Sequence, residues 1–96
     1  MAKAYWIVFY RSISNPAAFA EYAKLAVPAI QAAGGRVLVR GEALRTFEAG
    51  LKQRVVAIEF DSVEKAVAAY ESEAYRAALK ALGNGAERDI RIVESL

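Results

Sequence analysis

Ninety-six residues, 56% of them hydrophobic and 25% charged, are enough for one hydrophobic core but not two, and they exclude a disordered chain. Thirteen basic and eleven acidic residues leave a net charge of +2 with no two basic residues adjacent, so the clustered cations that track phosphates are missing and no nucleic-acid partner is expected. Cysteine and histidine are both absent, which removes disulfides, thiolate nucleophiles, the commonest metal ligands and the usual general base near neutral pH. No cofactor and no metal site are therefore expected.

No stretch approaches the roughly 18 consecutive apolar residues of a membrane span, and the first residues lack a signal peptide's charged-then-apolar pattern. The expectation is a cytoplasmic protein with no membrane partner.

Along the chain, Ala4 to Tyr10 is β-branched and aromatic with apolar residues on both faces, which predicts a central strand. Asn15-Pro16 is an N-cap followed by proline at the first helical position. Phe19, Tyr22, Ala23, Ala26 and Ile30 then recur at helical spacing. Pro28 has no N–H to donate to the Lys24 carbonyl, so a kink or tightened turn is expected there, and Gly34-Gly35 ends the helix. Arg36 to Arg40 is a second strand. Gly41 is read as a bend or bulge, with Ala43 to Glu48 continuing as an edge strand and Ala49 to Lys52 as a turn. Arg54 to Phe60 is a third strand. Asp61-Ser62 caps a helix bearing Val63, Ala66, Val67 and Tyr70, Ser72 caps a further segment bearing Tyr75, Leu79 and Leu82, and Gly83 and Gly85 close it. Ile90 to Val93 is the last strand. The order βαββαβ in one domain over residues 1–96 predicts a ferredoxin-like α+β sandwich.

Strand alternation assigns the sheet faces. Val37/Val39, Val56/Ile58/Phe60 and Ile90/Ile92 are the natural helix-facing sets. The opposite face takes Arg36/Leu38/Arg40, Val55/Ala57/Glu59 and Arg91/Val93, together with either Tyr5/Ile7/Phe9 or Trp6/Val8/Tyr10. So apolar a face, uncovered by helices, predicts a homodimer formed through it.

These residues carry a resemblance. Tyr5-Trp6, Phe19 and Tyr22, Gly34 to Gly41, Arg54 to Phe60, Ala69 to Tyr75 and the Arg91 to Glu94 ending together resemble the DUF1330 family of uncharacterised proteins, over nearly the whole chain. The resemblance implies membership of the dimeric α/β-barrel superfamily, with two sheets packed face to face. The family's usual Phe-Pro-Ser is Phe60-Asp61-Ser62 here, and its Ser-Pro-Glu-Tyr is Ser72-Glu73-Ala74-Tyr75. Both departures fall at helix starts and alter caps. Haem-binding relatives of that superfamily fit poorly, since this chain has no histidine for an axial ligand.

No catalytic motif is present. The glycine pairs make neither a dinucleotide fingerprint nor a P-loop, and Ser72 has no base beside it to make it a nucleophile. Tyr22, Tyr70 and Tyr75 read either as amphipathic core residues or as the lining of a cavity between helices and sheet. Arg40 and Glu59 lie on strands expected to be neighbours and form either an interface ion pair or an anchor for an anionic or phenolic ligand, with Arg36 and Arg91 as other partners for Glu59. The expected function is a homodimer with no assignable reaction; the alternative is a cofactor-independent enzyme or small-molecule binder acting on an aromatic or carboxylate ligand at Tyr22, Arg40, Glu59, Tyr70 and Tyr75.

Overall fold

Ten residues without glycine or proline, alternating between buried and open positions, make Ala4–Ile13 the first strand, β1. The computed structural model, which describes residues 2–96, continues with α1 (Pro16–Ala32), β2 (Arg36–Glu42), β3 (Arg54–Phe60), α2 (Val63–Glu71), α3 (Glu73–Leu82) and β4 (Ala86–Glu94). The strands form one four-stranded antiparallel sheet in the order β2-β3-β1-β4. β1 is central, as its two apolar faces require.

The helices cover one sheet face. Trp6, Ile58, Phe60 and Tyr75 are the largest fully buried side chains. Trp6 stacks on Phe60 with ring centroids 5.9 Å apart and meets the edge of Tyr75 at 5.0 Å. Burying an aromatic or aliphatic side chain of this kind stabilises the fold by about 1.5–3 kcal/mol.

Each helix begins where a side-chain oxygen satisfies a free backbone N–H. Asn15 accepts from Ala18 at 3.1 Å, Ser62 from Lys65 at 3.2 Å and Ser72 from Tyr75 at 3.2 Å. Ser72 also donates to the Ala69 carbonyl at 2.8 Å, so one residue ends α2 and starts α3. Pro28 lies within α1, which runs unbroken from Pro16 to Ala32. After α1, Gly34 takes a φ of 90°, and Gly35 lets the chain pass against Ile30 and Phe60, where a Cβ would come within 2.6 Å and 2.8 Å of them.

Three expectations are corrected, the last being the edge strand expected over Ala43 to Glu48. The sheet is open: β2 and β4 are its edges and do not pair, so it is not closed into a barrel and the dimeric α/β-barrel implied by the resemblance is overturned. Closure needs tilted, sheared strands whose first and last members hydrogen-bond to each other, which β2 and β4 do not do. The second correction concerns β2, whose register against β3 shifts between Val37 and Val39. The bulge lies at Leu38 instead of Gly41. Val37 stands opposite Ile58, but Val39 stands opposite Ala57 and Arg40 opposite Val56. One extra residue therefore turns Val39 to the helix-free face and Arg40 to the helix side. Residues 43–53 form a loop with a turn at Phe47–Gly50 and no further strand.

Candidate functional site

The inner faces of β1 and β3 meet α1 around Trp6, Tyr10, Phe19 and Tyr22, and the packing there leaves a cavity of about 60 Å³. Arg40 and Arg54 line it as well. Such a space accommodates a ligand's head group or a few carbons; a dry cavity that takes a whole benzene ring measures about 150 Å³. Ala23, Val27, Val37 and Arg40 on its α1–β2 side retain exposure, so a larger body has room to extend outward.

The arginines set the electrostatics. Arg54 is in phase with Val56, Ile58 and Phe60 on β3, and Arg88 with Ile90 and Ile92 on β4, so both project toward the helices. The Arg54 guanidinium lies 5.3 Å from the Phe19 ring centroid, and its buried Nε–H has no acceptor. Arg88 packs over Tyr22 at 4.9 Å and Tyr10 at 5.7 Å, and donates to the Tyr22 hydroxyl at 2.9 Å and the Tyr75 hydroxyl at 3.4 Å. Neither they nor Arg40 has a carboxylate within 4.0 Å among the described residues. The indole N–H of Trp6 is likewise buried without an acceptor. Buried donors of this kind call for partners.

Tyr22 and Tyr75 share a 2.6 Å hydroxyl–hydroxyl hydrogen bond. Burial pushes the pKa of both phenols, and of Tyr10, above the ordinary tyrosine value, with the neighbouring phenol adding to the rise at Tyr22. All three remain hydrogen-bond donors at neutral pH.

Of the residues singled out in the sequence, Tyr22 and Arg40 line the cavity, and Tyr75 stands one hydrogen bond behind it. Tyr70 packs on Trp6 and Tyr75 at 5.6 and 5.3 Å but lines a separate surface recess with Glu71, Arg76 and Leu79. Glu59 lies on the opposite sheet face, where Arg36 donates to it at 2.9 Å and Tyr5 at 3.3 Å. The expected Arg40–Glu59 pair does not form: Glu59 stands opposite Arg36, while Arg40 stands opposite Val56, three residues away along β3, and the bulge turns it to the other face. Trp6 and Arg54 also line the cavity and Arg88 backs it, none of them proposed as a site residue from the sequence; Arg54, in phase with Val56, Ile58 and Phe60, carried the one signal that could have found it.

A second recess, of about 350 Å³, lies under the β2–β3 loop beside Phe9, Leu51 and Gln53. Arg54 borders this recess too, while its Arg11 and Arg91 are paired with Asp89 at 3.7 and 2.8 Å. Among the described residues no three acidic side chains gather as a metal site would require, and no helix is long and apolar enough to cross a membrane.

An open antiparallel sheet with its helices on one face and a cationic, aromatic-lined cavity beneath α1 defines a ferredoxin-like α+β protein. The chain belongs to the DUF1330 family, described as a domain of unknown function, whose model matches residues 3–96. Among solved structures it is similar to a protein of unknown function from Rhodopseudomonas palustris, with TM-score 0.78 and 18% identity over 99% of this chain and 83% of that one. It is also similar to a protein proposed as an antibiotic biosynthesis monooxygenase from Nitrosomonas europaea, with TM-score 0.69 and 16% identity over 98% and 90%. A third is a dimeric ferredoxin-like protein of unknown function from Thermobifida fusca, with TM-score 0.57 and 16% identity over 98% and 92%. At these identities the likeness is one of fold. No curated protein matches the chain in sequence.

Proposed function

We propose that this protein binds a small organic molecule in the cavity between α1 and the sheet, and that the ligand joins an apolar body to an anionic group such as a carboxylate. The observation that carries this reading is Arg54: a cation in a largely apolar lining, with a buried N–H that no protein group accepts. A folded chain rarely retains such a donor without a use for it, since an unmet buried donor costs about 1–3 kcal/mol. Arg40 adds a second positive charge to the lining, Arg88 stands behind it against Tyr22 and Tyr10, and no acidic side chain lines the cavity. The fold is shared with a protein proposed as a monooxygenase, so small-molecule chemistry suits this architecture better than a module without a ligand does.

The test is thermal shift with benzoate, phenylacetate and isobutyrate, each against its uncharged amide. The acids raise the melting temperature and the amides do not, and Arg54→Met removes the response. Equal shifts with acids and amides, or none with either, would sink the proposal.

We also infer that two copies associate through the helix-free sheet face. Phe9, Val39 and Val93 are 40%, 50% and 49% exposed there, beside half-buried Ile7, Val55 and Ala57, and the similar Thermobifida fusca protein is dimeric. Sedimentation at micromolar concentration gives twice the 10.4 kDa chain mass, and Val93→Glu shifts the protein toward monomer. A wild-type particle of single-chain mass refutes this pairing.

A further inference from the structure

The hydrogen-bond arithmetic of Tyr22, Tyr75 and Arg88 assigns a direction to one proton. Each phenol has one O–H to donate and lone pairs for two acceptances. The 2.6 Å contact between the hydroxyls consumes one of the two protons. Arg88 donates to both oxygens, at 2.9 and 3.4 Å, and supplies no acceptor because guanidinium has none. No other hydrogen bond reaches either oxygen among the described residues. One hydroxyl proton is therefore left over.

Two arrangements are open to it. If Tyr22 donates to Tyr75, the spare proton belongs to Tyr75, which is fully buried in the packed core and does not line the cavity. If Tyr75 donates to Tyr22, the spare proton belongs to Tyr22, which lines the cavity. In that second arrangement Tyr22 accepts from both Tyr75 and Arg88, its lone pairs are used, and donation is the one capacity it retains. The second arrangement strands no proton in the core.

We propose that Tyr22 donates its hydroxyl proton to the ionised oxygen of the bound ligand, with Tyr75 and Arg88 fixing the direction of that donation, so that the cavity selects carboxylate or phenolate oxygen by hydrogen bonding as well as by charge. The proposal rests on the cavity being the ligand site, and it names the head-group chemistry and the residue that reads it. Tyr22 touches the ligand, whereas Tyr75 and Arg88 are positioning residues.

Two measurements test it. The first is calorimetric titration with benzoates carrying ring substituents of graded electron demand, and with 4-nitrophenol at a pH where it is ionised. For wild type, affinity rises with the basicity of the ligand oxygen. In Tyr22→Phe, which keeps the ring, benzoate affinity falls about 5- to 150-fold and the dependence on basicity disappears. Tyr75→Phe weakens binding less and retains that dependence. Whichever of benzoate and nitrophenolate binds more tightly identifies the oxygen type. The second is neutron diffraction of the ligand-free protein, which places the Tyr22 deuteron toward the cavity and the Tyr75 deuteron between the oxygens. Wild-type benzoate affinity in Tyr22→Phe overturns this inference and leaves the cavity reading standing, as does a Tyr22 deuteron lying on the line to Tyr75. A wild-type protein that binds none of these anions overturns the cavity reading and this inference with it.

Discussion

Arg36 on β2 holds Glu59 on β3 through a 2.9 Å hydrogen-bonded ion pair, and the same guanidinium reaches Asp61 at 3.0 Å. Arg36 lowers the pKa of both carboxyls, and Arg91 does the same for Asp89. A carboxyl whose folded pKa is depressed contributes stability above its unfolded pKa, about 4. That contribution is lost as pH falls through the folded value. Urea midpoints therefore hold steady from pH 7 to 5 and fall below about pH 4, and Arg36→Met flattens part of the fall. An acid limb unchanged in that variant refutes the assignment.

The phenols act in the opposite sense. Tyr10, Tyr22 and Tyr75 have raised pKa values, chiefly through burial, so their contribution is fully present below the unfolded value near pH 10 and is lost as pH rises through the folded values. Absorbance titration at alkaline pH shows these three phenols ionising only with unfolding. Reversible ionisation of these three phenols near pH 10 in the folded protein contradicts this.

The binding role proposed for Arg54 carries an expected cost in stability. Arg54→Met removes a cation with an unmet buried donor while keeping an apolar stem beside Phe19. Stability rises by about 1 kcal/mol, while the carboxylate-induced thermal shift is lost. Denaturant unfolding of the variant measures the first and the ligand screen the second; a destabilised variant that still binds shows that Arg54 serves packing.

Gly35 is required by contact. A Cβ there meets Ile30 Cγ2 at 2.6 Å and the Phe60 ring at 2.8 and 2.9 Å, and both neighbours are buried. Gly35→Ala costs about 1–3 kcal/mol, read as a lowered urea midpoint, whereas Gly41→Ala, with nothing within 4 Å, changes stability far less.

Where local chemistry decides structure, the chain was readable. Asn15, Ser62 and Ser72 cap the helices as their residue types predict, and β1 is central because both of its faces are apolar. Val56, Ile58 and Phe60 face the helices as their alternation requires. The site was only partly readable. Tyr22 stands out as a polar tip on an apolar helix face, but strand alternation puts Arg40 on the helix-free face beside Glu59, and it reaches the cavity only through the bulge at Leu38. Arg54 opens its strand and Arg88 precedes the expected strand Ile90 to Val93, where a charged residue ordinarily marks the end of burial. The Tyr22–Tyr75 hydrogen bond joins residues 53 positions apart and depends on how α1 packs on α3, which no local pattern encodes. The open sheet escaped the family resemblance for a related reason, since closure is a property of strand number and tilt that residue types do not carry.

The bulge at Leu38 has a consequence for how such chains diverge. Most substitutions in β2 change one side chain and leave its neighbours in place. Losing or gaining a single residue ahead of Arg40 instead exchanges inside for outside along the rest of the strand. A deletion there would withdraw a cation from the cavity and send it to the outer face, with no cavity residue having been replaced. Chains with the same amino acids at matching positions in this strand therefore present the same lining to the cavity only if they also share the count.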